Sequence, residues 1–366
     1  MVKTTLGASA PEWDALVDGL AVPSPFLRSW WLHATAAAEP EFVLVRNGGR
    51  LIGGVALQAD RTCGVRRLRM MGDGPLCPDH LDLLADASNG RPDGAATRDA
   101  VVAALRQWFK AQGPLVVQLR GLTGAARLRR VFGPRASCVE MEPAPWLALS
   151  RDWPTFLAGR PSQLRNSLRQ GARRMREGGA VYRATPDVPT AAALASLREL
   201  HAGQWGRRST FLPVYDVFAR AAESGVARGE LIVHELAVGA QVIASQAWFE
   251  VDGRTSLYQG GRLTDDPKWR GSGGVLTAMI LERACERGFS EADFLRGIEA
   301  YKQDWTSAQR PLIELRFAQG RAGRAALAAL DAGDRLHQTA ARVRRSRPVR
   351  AIVRATVRRP PGWGQV

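Results

Sequence analysis

The run Lys268-Trp269-Arg270-Gly271-Ser272-Gly273-Gly274 stands directly ahead of Val275 to Arg287, whose apolar spacing predicts a helix. Glycines let a backbone approach a ligand closely, and the unpaired N–H groups and positive dipole end of a helix start favour an anion. Lys268 and Arg270 add charge at the same place. Lys268, Arg270, Gly271, Ser272, Gly273 and Gly274 therefore read as a phosphate-binding loop; by itself such a turn is also what an ordinary loop looks like. A second anion-binding feature lies upstream. Arg165, Arg169, Arg173 and Arg176 follow one another at spacings of four, four and three, on one helical face. Like charges so placed repel and Glu177 alone offsets them, so the face suits phosphates or acidic glycans, the alternative being a solvated face. Trp205 can stack on a sugar or line an acceptor cleft, or belong to the core. His33, His80, His201, His234 and His337 show no ligand spacing and form no triad, and the four cysteines show no C-x-x-C pair, so no metal is expected.

The elements that position these residues come in two similar sets. Trp13, Leu16, Val17 and Gly19 are matched at the same spacings by Trp153, Phe156, Leu157 and Gly159, both reading as short amphipathic helices. The first carries a capping-box pattern, Ser9-x-x-Glu12, and Asp152 can cap the second. A hairpin pattern follows each, FVLVRNGGRLIGGVALQ from Phe42 and LIVHELAVGAQVIASQAWF from Leu231, the second extended by TSLYQGGRL from Thr255. Each set closes with a helix and a strand sharing Leu-Arg-Gly, at Leu119 to Gly121 and Leu295 to Gly297. A tandem duplication accounts for this order. The first copy's loop, Arg91-Pro92-Asp93-Gly94-Ala95-Ala96, carries an aspartate that repels a pyrophosphate, so that copy reads as scaffold.

The order strand, basic glycine loop, helix, strand resembles the acyl-CoA site of the GNAT fold, with Lys268-x-x-Gly271-x-Gly273 standing for that superfamily's (Gln/Arg)-x-x-Gly-x-(Gly/Ala). DFLRGIEAYKQDW, Asp293 to Trp305, is similar to the CelD-type, FemAB-like branch, as are SQLRNSLRQGARRMREGG from Ser162 and Leu200-His201-x-x-Gln204-Trp205. The resemblance runs from about Trp153 to Phe317. It implies a mixed α/β (α+β) architecture of tandem GNAT domains with mixed central sheets: residues 1–148 as a degenerate partner, 149–320 as the acyltransferase domain, and a basic tail at 321–366, helical or disordered. It also implies an acyl-CoA donor, acetyl-CoA or another, sometimes replaced in FemAB-like relatives by aminoacyl-tRNA. Direct transfer to an amine needs a proton acceptor, an oxyanion donor and an acid near the departing thiolate. The resemblance places Tyr301 where such enzymes keep that acid; Glu299 is the nearest candidate base and Asp293 a second, Asp293 being also suited to satisfying backbone donors. Lys302 can bind a carboxylate or phosphate.

Composition bounds the rest. With 45% hydrophobic and 23% charged residues the chain can bury cores, which excludes global disorder. The net charge of +16 sits almost wholly in two places: Arg160 to Arg183, with seven arginines against Glu177, and Arg335 to Val366, with nine arginines and no acid. A near-neutral body argues against general nucleic-acid binding, tRNA apart. The start lacks a signal-like apolar run and nowhere do 18 apolar residues follow one another, so the expected place is the cytoplasm, with the basic tail able to touch an anionic membrane. The expected function is acyl transfer from acyl-CoA to an amine-bearing acceptor, for which an anionic envelope or exopolysaccharide precursor is a candidate. A non-catalytic accessory protein of polysaccharide assembly and a tRNA-dependent transferase are the alternatives.

Overall fold

The computed structural model describes residues 1–36, 39–86 and 93–345. Its strands in chain order are β1 (Val2–Lys3), β2 (Pro40–Asn47), β3 (Arg50–Thr62), β4 (Val65–Met70), β5 (Leu84–Ala85), β6 (Leu115–Thr123), β7 (Ser137–Glu140), β8 (Ala144–Ala148), β9 (Val181–Ala184), β10 (Leu231–Val238), β11 (Gln241–Val251), β12 (Arg254–Arg262), β13 (Glu291–Asp293), β14 (Gln309–Arg310) and β15 (Leu312–Gln319). The helices are α1 (Ala10–Asp18), α2 (Ser29–Thr35), α3 (Asp93–Ala111), α4 (Leu128–Phe132), α5 (Trp153–Ala158), α6 (Ser162–Glu177), α7 (Thr190–Trp205), α8 (Tyr215–Ala227), α9 (Ser272–Glu286), α10 (Ala300–Trp305) and α11 (Gly320–Arg345). They form two mixed sheets, ordered β1-β2-β3-β4-β6-β15-β7, with β5 on β3, and β14-β8-β13-β12-β11-β10-β9. The mixed α/β class expected from the sequence is the one observed.

Both expected hairpins form, β2 with β3 and β10 with β11, and β12 extends the second as an antiparallel meander. Asp252 and Gly253, at φ 48° and 69°, make the tight turn that feeds β12, a geometry that suits the right-handed strand twist. The first half has a third meander strand as well, β4, which the sequence reading did not single out. The sheets do not part at residue 148: β8 pairs with β13 in the second sheet, and β15, from the far end of the second half, pairs with β6 and β7 in the first. The two halves thus exchange strands.

They also share a core. Phe26 and Trp31 of the first half meet Phe249 and Tyr258 of the second at centroid distances of 5.3–5.7 Å, with edge-to-face or tilted rings. A separate apolar cluster gathers Trp153, Phe156, Leu168, Met175, Trp248, Trp269 and Leu276 between α5, α6, α9 and the second sheet. Asp152 caps α5, its carboxylate accepting from Thr155 N–H at 3.3 Å. The capping box expected at α1 does not form. Ser9 Oγ accepts instead from Arg46 at 2.8 Å, and Glu12 binds Arg46 and Leu51 N–H, tying α1 to the first hairpin.

The expected tail begins as a docked helix. Arg316 on β15 holds Asp331 and Asp334 of α11, and Gly323 lets the helix lie against Leu115, whose carbonyl oxygen would be 2.5 Å from a Cβ there. Arg347, Arg350, Arg354, Arg358 and Arg359 of the tail, and Arg91 and Pro92 of the first-half loop, lie outside the described residues. Among the described residues no helix is long and apolar enough to cross a membrane, and no group of His, Cys, Asp or Glu could hold a metal.

Candidate active site

β12 and β13 run parallel for three residue pairs, Arg254↔Glu291, Thr255↔Ala292 and Ser256↔Asp293, and then part. Two local features separate them. On β12 the register against β11 slips between Ala247 and Trp248, leaving Tyr258 as an extra residue, and such a bulge bends its strand. The Tyr258 ring enters the shared core and its hydroxyl donates to Leu76 O at 3.0 Å. On the other side Leu295 adopts φ 53°, turning the chain away just after β13. Asp293 fixes that turn by accepting Leu295 N–H at 2.7 Å, and it is itself held by His80 and Arg310, each at 3.0 Å. Complete burial works to raise the Asp293 pKa, but the His80 imidazolium beside it keeps the carboxyl below its ordinary value.

The parted strands wall a cavity of about 630 Å³. Leu257 to Arg262 form one side and Phe294 to Arg296 the other; α9, α6, α7 and α10 contribute the remainder, with Cys77 and Asp79 reaching in from the first half. Helix α7 supplies partners for two backbone groups of β12. His201 Nδ1–H donates to Gly260 O at 3.0 Å, and Gln204 Oε1 accepts Arg262 N–H at 3.1 Å. The Ser209 hydroxyl donates to His201 Nε2 at 2.8 Å, and burial lowers the His201 pKa, so the ring is neutral. Gly261 permits this approach, since a Cβ there would lie 2.3 Å from His201 N.

The start of α9 opens into the same cavity. Gly271, at φ 92°, takes a left-handed turn that favours glycine, and its carbonyl accepts Val275 N–H at 3.0 Å. By helix geometry the N–H groups of Ser272, Gly273 and Gly274 have no intrahelical partner. Arg270, Gly271, Gly273 and Gly274 line the cavity together with Arg262, a cation the sequence reading missed because it closes a strand rather than joining the loop. Two expected members point elsewhere. Lys268 Nζ lies 4.6 Å from the Trp269 ring centre, and Ser272 is buried with its hydroxyl donating to Ile243 O at 3.3 Å. Arg174 on α6 donates to Arg270 O at 2.8 Å and steadies the loop.

At the other end stand Glu299, Tyr301, Lys302 and Asp304. Tyr301 is 44% exposed, yet burial of its hydroxyl end and the nearby Glu299 carboxylate raise its pKa above that of an ordinary phenol. Lys302 is buried and gives its ammonium to Leu295 O at 3.3 Å, Arg296 O at 2.8 Å and Glu299 at 2.9 Å, so it knits the turn after β13. Asp293, expected as a second base, lies beneath His80 and Arg310, outside the cavity lining. Asp304 went unremarked in the sequence, but its three-residue spacing from Tyr301 puts both on one helical face, and it forms no ion pair with the described residues.

The arginine stripe is on α6, but the helix shows the cavity a different face, Leu164, Ser167 and Leu168. Arg165 and Arg169 flank a second groove of about 490 Å³ with Leu157, Ala172, Val275 and Met279, while Arg173 is exposed beside Glu177 at 3.8 Å. Trp205, 38% exposed, lines the main cavity.

Comparison with known proteins accords with this geometry. The acetyltransferase (GNAT) domain profile matches residues 162–303, which hold α6, α7, β10–β13, the start of α9 and Tyr301. No curated protein matches the sequence significantly. Among solved structures, FemX superposes with a TM-score of 0.64 at 9% identity, covering 85% of this chain and 96% of its own. The C-terminal domain of a putative lysylphosphatidylglycerol synthetase from Agrobacterium fabrum gives 0.56 at 13% identity, over 90% of this chain and 97% of that one. A conserved protein of unknown function from Bacteroides thetaiotaomicron gives 0.53 at 12%, over 86% and 99%. All three likenesses extend over both halves, so the two-sheet arrangement as a whole is a shared fold. Residues 162–303 thus carry a match to the GNAT domain, set in a fold that the chain as a whole shares with FemX.

Proposed function

We propose that this protein is an acyltransferase that moves an acyl group from an acyl-CoA, acetyl-CoA being the simplest, to an amine. One observation carries the reading: the glycine start of α9, the unzipped edge of β12 and Tyr301 all open into a single cavity. The residues there suit such a donor. Unpaired N–H groups of residues 272–274, with Arg262 and Arg270, fit a pyrophosphate, and about 630 Å³ is room of the usual size for a small-molecule site. The donor supplies an activated thioester carbonyl. Tyr301, its pKa raised, stays protonated at neutral pH and holds a proton for the departing sulfur. Glu299 and Asp304 stand at the same end to take the proton that the amine loses as the C–N bond forms and the C–S bond breaks.

The cavity is basic at the α9 end and acidic near α10, which orders the donor phosphates and the acceptor amine. An amine on an envelope or exopolysaccharide precursor in the cytoplasm is the acceptor class this reading takes, the resemblance itself naming only the donor. The first half, 1–148, serves as scaffold for 149–320, each sheet borrowing a strand from the other half.

Calorimetry with acetyl-CoA tests the donor. The wild type should bind saturably; Gly271→Val, which forces a β-branched residue to φ 92°, should abolish binding, and Gly94→Ala in α3 should leave it intact. A wild type that binds no CoA overturns the reading.

A second reading has an observation of its own. Arg165, Arg169, Arg173 and Arg176 on α6 form a basic helix face away from the cavity, which suits a polyanionic donor such as aminoacyl-tRNA. It predicts tRNA binding that weakens steeply with salt.

A further inference from the structure

Gln246 on β11 is 7% exposed and Thr277 on α9 is 3% exposed, yet both line the cavity, and neither sequence motif includes them. Their polar atoms form a closed network. Gln246 Nε2 donates to Gly273 O at 2.9 Å and to Thr277 Oγ1 at 3.0 Å, Thr277 Oγ1–H donates to Gly273 O at 3.0 Å, and Trp248 Nε1–H donates to Gln246 Oε1 at 2.9 Å. Two side-chain donors therefore converge on one carbonyl in the first turn of a helix.

That carbonyl belongs to the peptide unit whose other end is the Gly274 N–H. A planar peptide transmits polarisation, so donors on its oxygen strengthen the N–H as a donor and fix where it aims. Gly274 is exposed and lines the cavity, and its N–H has no intrahelical partner. With its amide spent on Gly273, Thr277 and Trp248, Gln246 is not itself free to grip a ligand.

We propose that Gln246 and Thr277 are positioning residues that pre-aim and polarise the Gly273–Gly274 peptide, making the Gly274 N–H the principal backbone donor to the donor substrate's pyrophosphate. This rests on the acyl-CoA reading above and deepens it.

The test reads the network and the ligand separately. In amide NMR of the ligand-free protein, the Gly274 proton should lie downfield in wild type and in Thr277→Ser, and move upfield in Thr277→Val and Gln246→Leu. Calorimetry with CoA, run well below each variant's melting temperature, should then show about a tenfold loss of affinity for Gln246→Leu, a several-fold loss for Thr277→Val and rescue by Thr277→Ser. If the Gly274 shift does not respond, or if Thr277→Val binds CoA as Thr277→Ser does, the proposal is overturned while the acyl-CoA reading stands. A wild type with the expected shifts that binds no CoA overturns the acyl-CoA reading, and the assignment of the Gly274 N–H to a pyrophosphate with it.

Discussion

In the first sheet β4 runs parallel to β6 for three pairs, Arg66↔Leu115 to Leu68↔Val117; in the second, β12 runs parallel to β13 for three, Arg254↔Glu291 to Ser256↔Asp293. Beyond those pairs both couples part. The second gap is the cavity. The first is filled by the protein's own chain: Leu81 N–H donates to Gly121 O at 2.9 Å, Thr123 N–H donates to Leu81 O at 3.2 Å, and Leu81 bridges Leu122 in parallel register. Linker length accounts for the difference. Residues 71–92 join β4 to α3 and are long enough to fold back into the gap, whereas 263–271 run straight from β12 to α9. The filling segment then braces the open gap. Asp79 accepts Arg296 Nε–H at 2.6 Å and Arg296 N–H at 2.8 Å, while His80 reaches Asp293, so the plugged half holds the turn that keeps the other half open.

If only the open wedge does chemistry, its loss should cost turnover and not stability. Tyr301→Phe should lower kcat by two to three orders of magnitude, about 3 to 4 kcal/mol, with the donor's apparent KM and the melting temperature little changed. Steady-state thiol release with acetyl-CoA and an accepted amine measures this. Unchanged kcat would remove Tyr301 from the reaction and leave the two wedges chemically alike.

The plugged wedge should answer in the opposite way. Gly121, at φ 71°, lies against the plug, and a Cβ there would be 2.2 Å from Pro78 O, a backbone atom that cannot swing aside. Gly121→Ala should therefore cost about 3 kcal/mol of stability in urea unfolding. Donor affinity should fall only through the brace on Arg296. A stable Gly121→Ala that binds CoA normally would show that the plug does not support the cavity.

Much of this was legible in the residues, for stated reasons. The glycine loop, the hairpins and the first Leu-Arg-Gly are local patterns, fixed by turn chemistry and period, and they lie where expected; the second, Leu295 to Gly297, was expected in a strand but forms the turn after β13, because Leu295 adopts φ 53°. The strand exchange was not legible, because nothing in the sequence of a single strand such as β8 or β15 says which sheet will take it. The roles of charged residues were the least legible. Lys302 looks like a ligand for an anion, but three oxygens of its own chain surround it, and the α6 arginines face away from the cavity. Asp79 and Cys77 reach the cavity from more than 200 positions before Tyr301, through contacts no local pattern encodes.

The smallest expected effect concerns a carboxylate in the plug itself. Asp82 accepts Leu83 N–H at 2.8 Å, Arg127 N–H at 2.7 Å and Leu128 N–H at 3.0 Å, joining the plug to the start of α4. Burial nevertheless pushes its pKa up to about 6, the three donors offsetting only part of the desolvation. A pKa raised on folding means that the folded state binds the proton more tightly. The stability Asp82 contributes is then fully present below its unfolded value of about 4 and is lost as pH rises through about 6. Other groups titrate in or beside this range, Asp293 below it and with the opposite sign, so the measurement must be a difference between proteins. Asp82→Asn keeps an acceptor and cannot titrate. Between pH 4 and pH 7.5, wild type should lose about 2 kcal/mol of urea-unfolding stability relative to Asp82→Asn. A difference that stays flat across that range would mean that the plug is wet enough to solvate Asp82, and the first wedge would then be less completely filled than its packing indicates.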